Sequence, residues 1–380
     1  MVNSSLSELT CSISSGTTTT HKPNGLYPVY GSTGIIGYTE NPDYFGEKIL
    51  VARVGAHAGM TNIVSGAYGV SDNTLIVEIK PSCETKYIYY SLKYAKLNQL
   101  VFGSGQPLIT GSLLKNIELY APSKESQKQI ADMLSDIDIF ISTVQKQLAK
   151  MNAIKQGAMQ ELLTGKKRLP GFSGEWKNFV FGELFDVIPN NAFTRAQMSD
   201  GGKVKNIHYG DILTKYGAYI DADSDTIPYI AKEVDLSRFS ERCYLQSGDI
   251  VMADTAEDET VGKALEVINV CRPVLAGQHT LLCRPRVEFA EKFLGYYLNS
   301  ACYHDQLLPF IVGTKVSSIS KASVAQTKLI VPELEEQQAI AEILSNMDEE
   351  IHALEEKLEK YRQVKQGMMQ QLLTGKIRLI

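Results

Sequence analysis

The chain has 380 residues, of which 44% are hydrophobic and 21% charged, and its formal net charge is −5. It is too long for one compact core and too apolar to be mainly disordered, so we expect two or three domains. No run reaches the roughly 20 apolar residues of a membrane helix, and Met1–Thr20 lacks the pattern of a signal peptide, which predicts a cytoplasmic protein. The acidic charge argues against nucleic-acid binding by bulk electrostatics, although local basic patches remain compatible with it.

Two β-rich segments are predicted, one in each half of the chain. In the first half, Gly46–Arg53 and Thr74–Ile79 have the composition of strands, and Ile88–Tyr90 lies in a predicted short helix. The second half repeats this order, with two strands and a short helix at Asp249–Ala253, Leu281–Arg284 and Leu294–Tyr296. Because the offset between matching residues drifts along these segments, we expect the same scaffold with different loops.

Each β-rich segment is followed by one copy of an internal repeat. Of the 49 residues from 121 to 169, 23 are identical to the residue found 210 positions later, and no gap is needed. Both copies contain the pattern PxxxxQxxIxxxLxxxD and end near LLTGK. A tandem duplication explains this regularity most economically.

Apolar residues in both copies recur at alternating steps of three and four, which is the heptad pattern of paired helices. Ser123 is a predicted N-cap, Pro332 marks the start of the second helix, and Thr-Gly ends both helices. A single such helix would usually belong to a bundle core, but two copies favour mutual pairing. The predicted seam consists of Ile130, Leu134, Ile137, Ile141, Val144, Leu148 and Met151 in the first helix, and Ile340, Leu344, Met347, Ile351, Leu354, Leu358 and Tyr361 in the second.

Gly157 and Gly367 interrupt these helices at matching positions, where each glycine costs about 1 kcal/mol relative to alanine. They suggest a close approach of another helix or of a partner. Neutral inheritance from the duplication is the alternative.

The sequence contains two globular segments, two repeat helices, the linker RLPGF at Arg168–Phe172 and the single Trp176. This ordered set resembles the specificity subunit of a type I restriction-modification enzyme. The resemblance covers essentially the whole chain. It implies an α+β fold with a pseudo-twofold internal repeat, in which two β-rich α/β target recognition domains are separated by two long helices forming an antiparallel coiled coil. The expected boundaries are 1–122 for the first recognition domain, 123–170 for the first helix and linker, 171–332 for the second domain, and 333–380 for the second helix.

The resemblance also implies the function and the partners. The chain would be a non-catalytic subunit that recognises a bipartite, asymmetric site in double-stranded DNA. It would recruit two methyltransferase (modification) subunits, which bind S-adenosylmethionine, and restriction/translocase subunits, which use ATP and Mg²⁺. No cofactor and no metal are expected in this chain itself.

Residues that could read bases are polar or aromatic and lie beside glycine turns, because paired donors and acceptors on loops distinguish base pairs. In the first domain they are Tyr30, Ser32, Arg53, His57, Asn73, Ser104 and Gln106. In the second they are His208, Tyr209, Lys215, Tyr216, Gln278, His279, Thr314 and Lys315.

Enzymatic motifs are weak or missing in the sequence. Asn41–Tyr44 (NPDY) only approximates the NPPY type of adenine methyltransferases, Asp254–Glu259 (DTAEDE) is interpreted as a charged loop, and no P-loop pattern occurs. The six cysteines lie at least 12 residues apart and form no CxxC pair. Two other interpretations remain open: a coiled-coil adaptor whose β-rich domains bind proteins, and, less favoured, a self-sufficient methyltransferase.

Overall fold

The computed structural model describes residues 3–19, 21–100, 107–313 and 315–378. The chain divides into two compact units. Unit 1 consists of Met1–Gln147 and Leu354–Ile380, and unit 2 consists of Leu148–Ala353. Because both divisions fall inside long helices, each unit combines one β-rich segment with parts of both repeat helices.

Unit 1 begins with ten short strands and three short α-helices among its described residues. The strands are β1 (Asn3–Ser5), β2 (Thr10–Ser15), β3 (Tyr27–Gly31), β4 (Gly34–Thr39), β5 (Tyr44–Phe45), β6 (Lys48–Ala52), β7 (Thr61–Val64), β8 (Ala67–Val70), β9 (Thr74–Ile79) and β10 (Glu118–Tyr120). The helices are α1 (Leu6–Leu9), α2 (Thr85–Tyr94) and α3 (Gly111–Lys115). The first long helix, α4 (Lys124–Leu162), follows and continues into unit 2.

Unit 2 continues with further strands and short helices. Its strands are β11 (Lys177–Val180), β12 (Phe185–Ile188), β13 (Met198–Ser199), β14 (Lys205–Ile207), β15 (Tyr219–Asp221), β16 (Tyr229–Ile230), β17 (Ile250–Ala253), β18 (Thr255–Ala256), β19 (Ala264–Ile268), β20 (Val274–Ala276), β21 (Thr280–Pro285), β22 (Ser317–Ser318) and β23 (Lys328–Val331). Its helices are α5 (Phe181–Leu184), α6 (Tyr209–Thr214), α7 (Phe293–Leu298), α8 (Ala301–His304) and α9 (Lys321–Val324), before the second long helix, α10 (Leu334–Leu372). The strands and short helices predicted from the sequence in both halves are confirmed, with ends that shift by a few residues.

The main sheets of the two units share one strand order. In unit 1 the order is β2-β9-β6-β7, and in unit 2 it is β12-β21-β17-β19, with β15 added at the edge. A second sheet contains the parallel pair β3 and β8 in unit 1, and the parallel pair β14 and β20 in unit 2. All apolar residues of strands β6 and β17 are buried, so these strands lie in the core of their units.

A glutamine makes equivalent hydrogen bonds at the start of each long helix, and these bonds explain the PxxxxQ pattern. The amide of Gln127 donates to the carbonyl of Pro122 at 2.9 Å and accepts from the backbone of Glu84 at 2.9 Å. Gln337 makes the equivalent bonds, to Pro332 at 2.9 Å and from Ala290 at 3.1 Å. Each glutamine therefore ties the start of its helix to the globular part of its own unit.

The ends of the helices also follow the sequence prediction. The Ser123 hydroxyl accepts from the backbone N–H of Ser126 at 3.3 Å, as expected of an N-cap. Gly165 and Gly375 adopt φ angles of +66° and +70° directly after the helices, a conformation that favours glycine.

The predicted seam positions are buried or half-buried. Ile130, Leu134, Ile340 and Leu344 are fully buried, and the remaining seam residues are covered at least in part. Within unit 1, Asp138 and Phe140 of α4 contact Lys365 and Tyr361 of α10, respectively, so residue numbers rise along one helix as they fall along the other. The two helix segments of unit 1 are therefore antiparallel.

The expected close approach at the two helix glycines is not found within the chain. A Cβ atom placed on Gly157 or Gly367 would meet no described atom within 4 Å outside its own helix. The suggestion that another helix of this chain packs there is therefore wrong, and a partner's approach stays a prediction. None of the described helices has the length and apolarity that a membrane span requires.

Candidate nucleic-acid interface

Three of the predicted base-reading residues of unit 1 meet where strands end. Ser32 follows β3, Arg53 follows β6, and Asn73 precedes β9. The carbonyl of Asn73 accepts from the Ser32 hydroxyl at 2.7 Å and from the Arg53 backbone N–H at 2.9 Å. We call these three residues the strand-end cluster of unit 1. The Asn73 side chain is exposed and that of Arg53 is partly exposed.

The same arrangement recurs in unit 2 with different residues. Tyr209 follows β14, Asp254 follows β17, and His279 precedes β21. The Asp254 backbone N–H donates to the carbonyl of His279 at 3.1 Å, and the Tyr209 ring lies edge-on to the His279 ring at 5.2 Å. These three residues form the strand-end cluster of unit 2.

Backbone hydrogen bonds establish the correspondence between the clusters. Ser71 donates to the carbonyl of Tyr30 at 2.9 Å, and Gly277 donates to that of Ile207 at 2.8 Å, which matches the turns before β9 and β21. The carbonyl of Arg53 accepts from Ile109 at 2.8 Å, just as that of Asp254 accepts from Ile319 at 2.9 Å. Ser32 therefore corresponds to Tyr209, Arg53 to Asp254, and Asn73 to His279.

The side chain of Asn190 stabilises the turn that carries His279. The Asn190 amide donates to the carbonyl of Gly277 and to the Thr280 hydroxyl, both at 3.0 Å. His279 itself has φ +58°, a left-handed conformation that is uncommon for a residue with a Cβ. Residues held in such conformations cluster at functional sites, because the surrounding structure must offset the strain.

A buried carboxylate organises the neighbouring positive charges. Asp211, whose side chain is completely buried, lies 3.0 Å from the Arg195 guanidinium and 2.9 Å from the Lys215 ammonium. Burial, and then the charge of Arg195, lower the pKa of His208, whose Nδ1 accepts from the backbone of Gly210 at 3.2 Å. His208 is therefore a neutral acceptor beside the Tyr209 ring at neutral pH.

The other predicted residues that the structure describes lie in different surroundings. Tyr30 is half-buried and packs edge-on against Tyr68 at 5.8 Å, so its ring belongs to a small core cluster. The ammonium of Lys215 is engaged by Asp211, although its side chain is 57% exposed. His57, Gln278 and Lys315 are at least partly exposed on loops, where His57 Nδ1 lies 3.0 Å from Met60 Sδ.

One predicted base contact needs correction. Tyr216 is only 7% exposed, and its hydroxyl donates to the carbonyl of Thr226 at 3.2 Å, so its ring is part of the core beside Ile212. Burial is the main reason why its pKa is raised. Its side chain is therefore not available to a base. Ser104, Gln106 and Thr314 lie outside the described residues.

Asp254 is not among the residues predicted to read bases, because the sequence presents it as the first of several acids in a charged loop. The signal was nevertheless there: aligning Ala52 with Ala253, as the strand pattern requires, places Arg53 opposite Asp254. Arg195 also escaped the sequence analysis, since only the fold brings it to Asp211.

The two suspected enzymatic motifs take part in local structure. In the NPDY segment, Asp43 accepts from the Thr18 hydroxyl and the Tyr44 hydroxyl lies 2.9 Å from that of Thr17. In the DTAEDE segment, Asp258 accepts from the backbone of Thr260 at 2.9 Å, which closes a local turn. Among the described residues, no group of three or more His, Cys, Asp or Glu side chains is arranged to hold a metal ion.

Each unit also has one large groove beside the last turns of a long helix. The groove of unit 1 measures about 850 Å³ and that of unit 2 about 670 Å³. Three lining residues of α10 in unit 1 correspond through the repeat to three of α4 in unit 2: Gln366, Met369 and Gln370, and Gln156, Met159 and Gln160. The duplication has thus produced two equivalent concave surfaces.

Comparison with known proteins identifies the family. The family model for the type I restriction modification DNA specificity domain matches residues 3–153 and 173–362. The type I restriction enzyme MjaVIII specificity subunit of Methanocaldococcus jannaschii is 28% identical over 352 residues, covering 87% of this chain and 79% of that protein. Among solved structures, the S subunit of a type I restriction-modification system from M. genitalium superposes with a TM-score of 0.66 at 15% identity, covering 98% of this chain and 96% of that one. A chain from a structure of type I system assembly gives a TM-score of 0.55 at 14% identity, with 99% and 98% covered.

Proposed function

Because the chain belongs to the family of type I restriction-modification DNA specificity proteins, we propose that its two strand-end clusters read the two halves of a bipartite, asymmetric site in double-stranded DNA. The chain is a specificity subunit, so its role is recognition and not catalysis. Family membership also favours this function over the protein-binding adaptor considered from the sequence.

The observation that carries the proposal is that equivalent main-chain positions present different side chains. The three equivalent positions carry Ser32, Arg53 and Asn73 in unit 1, and Tyr209, Asp254 and His279 in unit 2. Two copies of one scaffold with different donors and acceptors are what two unlike half-sites require, because base pairs differ in their major-groove donors and acceptors.

The proposed architecture is a pseudo-twofold repeat whose long helices pair as an antiparallel coiled coil. It is supported separately in each unit by a matched contact. Lys155 of α4 pairs with Asp348 of α10 in unit 2, and Lys365 of α10 pairs with Asp138 of α4 in unit 1. Since 155 and 365, like 138 and 348, differ by 210, one interaction has been kept in both copies.

The proposed partners are two modification subunits, one for each equivalent groove. These subunits would bring S-adenosylmethionine, and restriction/translocase subunits would bring the ATP and Mg²⁺ chemistry that acts on DNA in the cytoplasm. An acidic specificity subunit suits this arrangement, because the partners can supply much of the phosphate contact.

The proposal is tested by mapping methylated bases in cells with and without the gene, in the presence of the modification subunit. We expect one bipartite motif that depends on the chain. Replacing residues 171–332 with the same region of a related specificity subunit should change one half of the motif only. Simultaneous change of both halves would contradict the division between the units, and methylation that ignores the gene would contradict the function.

The partner assignment is tested separately by stoichiometry. Gln160 and Gln370 are exposed residues at equivalent places in the two grooves. We expect Gln160→Trp and Gln370→Trp each to remove one modification subunit from the complex in native mass spectrometry, and the double variant to remove both. Ile154→Trp, on an exposed position outside the grooves, serves as the control. Full assembly of the double variant would exclude the grooves as docking sites.

A further inference from the structure

The strand-end clusters differ most at one position, where opposite charges occupy the same main-chain site. The backbone N–H of Arg53 donates to the residue before β9, and that of Asp254 donates to the residue before β21. The carbonyl of Arg53 accepts from Ile109, and the carbonyl of Asp254 accepts from the equivalent residue, Ile319. Because these four bonds involve only main-chain atoms, the side chain at this position is free to vary. One unit has an arginine there and the other a carboxylate.

The loops that follow these residues extend the contrast. Each loop closes with a glycine, since Gly59 donates to the carbonyl of Ala52 and Gly262 to that of Ala253, both at 2.8 Å. The loop at 53–59 contains an arginine and no acid, whereas the loop at 254–262 contains four acids and no basic residue. The two units therefore present surfaces of opposite charge at one equivalent place.

A carboxylate on a DNA-reading surface is unfavourable unless a donor compensates it, because phosphates repel it. In the major groove, donors come from the exocyclic amines of cytosine and adenine, while guanine offers only acceptors. Adenine places its N7 acceptor beside the amine, and that acceptor repels a lone carboxylate; cytosine has no such neighbour. An aspartate at the reading position therefore selects cytosine, just as an arginine selects guanine through O6 and N7.

The immediate surroundings of Asp254 are compatible with this role. Its Oδ1 accepts from the Thr255 hydroxyl at 2.7 Å, and in the part of the chain that the structure describes no hydrogen bond to Oδ2 is found. The side chain is 25% exposed, and His279 Nδ1 lies 3.8 Å from Oδ1. One carboxylate oxygen is thus anchored, which orients the other, and the backbone on both sides is fixed.

We propose that Asp254 reads the amino group of a cytosine in the half-site of unit 2, and that Arg53 reads a guanine in the half-site of unit 1. This inference rests on the proposed function and adds the chemistry of each half-site to it. Two other acids of the loop are not assigned to base reading. Asp258 is occupied by its turn with Thr260, and Glu257 is exposed without the main-chain anchors of Asp254.

The test uses the complete complex of the chain with its modification subunits and a set of duplexes in which each base pair of the motif is changed in turn. Asp254→Ala should reduce discrimination at one C·G pair in the half-site of unit 2 by roughly 5- to 150-fold and leave the other half unchanged. Arg53→Ala should do the same at one G·C pair in the half-site of unit 1. The unit that reads each half is assigned independently by the exchange of residues 171–332.

Glu257→Ala is the matched control, because it removes the same charge from the same loop. It should strengthen binding to all duplexes alike without altering the preferred sequence, since it only relieves repulsion from phosphates. Asp254→Asn provides a second variant that keeps the size of the side chain and the contact with Thr255. Its amide should move the preference at the affected pair from cytosine towards adenine, because the N6 amine of adenine donates to the amide oxygen while N7 accepts from the amide nitrogen.

The outcomes separate this inference from the proposed function. A wild-type complex that methylates no defined sequence would overturn both. A wild-type complex with a bipartite motif, together with an Asp254→Ala variant of unchanged preference or one relaxed at a pair other than C·G, would overturn only the assignment of Asp254. If Glu257→Ala relaxed the same base pair as Asp254→Ala, the loop would act through its charge and the inference would be wrong.

Discussion

Removing the Asp348 carboxylate should destabilise unit 2 strongly, because this group joins three elements. Its Oδ2 accepts from the Tyr296 hydroxyl at 2.6 Å, and its Oδ1 pairs with the Lys155 ammonium. That ammonium also lies 5.4 Å from the centre of the Tyr296 ring. Helix α7, helix α4 and helix α10 therefore meet at one carboxylate within the unit.

The cost of Asp348→Ala can be estimated from these contacts. The Tyr296 residue is fully buried, so its hydroxyl would lose its acceptor at a cost of about 1–3 kcal/mol. Lys155 is 21% exposed and can recover part of its hydration, so losing the ion pair adds at most about 1 kcal/mol. The sum of about 1–4 kcal/mol corresponds to a decrease of roughly 2–16 °C in the unfolding temperature of a unit of this size.

The assay is thermal unfolding combined with hydrogen exchange, which reports the unit affected. Tyr296→Phe is the control, because it deletes the hydroxyl but leaves the ion pair, and should cost only about 1 kcal/mol. Asp138→Ala removes the equivalent carboxylate of unit 1, where the Tyr90 hydroxyl lies 2.9 Å and Lys365 2.5 Å away. Loss of protection in unit 1 upon Asp348→Ala, or an unfolding temperature within 1 °C of the wild type, would refute the reasoning.

Three further predictions concern stability. Burial raises the pKa of Glu266 to about 7, above its unfolded value of 4.5, so its contribution to the free energy of unfolding is complete below about pH 4.5 and is lost as the pH rises through 7. Between pH 5 and 8, the free energy of unfolding from thermal melts should fall by an amount on the order of 2 kcal/mol, and Glu266→Gln should abolish this decrease. His279→Gly should stabilise unit 2 towards denaturant by about 0.5–1 kcal/mol, because φ +58° suits glycine, while His279→Ala should not; equal effects would show that the turn is unstrained. Gly157→Ala and Gly367→Ala should each stabilise the free chain by about 1 kcal/mol in the same assay, since open space surrounds both positions, and a loss of stability would reveal a contact that this geometry lacks.

The long helices and the buried strands could be predicted because their signals are local. Heptad spacing, the Ser123 N-cap and the Thr-Gly ends each specify a short stretch of chain. Helix α4 begins one residue after its predicted cap and ends at Leu162. Strand β9 has the bounds predicted for it, because an apolar run flanked by turn residues is buried on both faces.

The strand-end clusters could be predicted only in part, because they depend on which turns meet. Ser32, Arg53 and Asn73 were identified one by one from their residue types, yet nothing in the sequence joins them. Tyr216 was misassigned for the same reason, since an aromatic residue beside a glycine suggests an exposed loop, whereas the end of α6 turns this ring into the core. The environment of Asp211 is also non-local, because Arg195 reaches it from another segment.

The two copies of the scaffold show which positions are free to diverge. At the helix contacts that are made by side chains, both copies keep the same residue, as with Asp138 and Asp348 or Gln127 and Gln337. Where main-chain atoms make the contact, the residues differ completely, as at the position of Arg53. A surface built on main-chain hydrogen bonds can therefore change what it recognises without changing what holds it together. Substitutions at Arg53 and Asp254 should therefore alter recognition at little cost in folding, because main-chain bonds hold both positions.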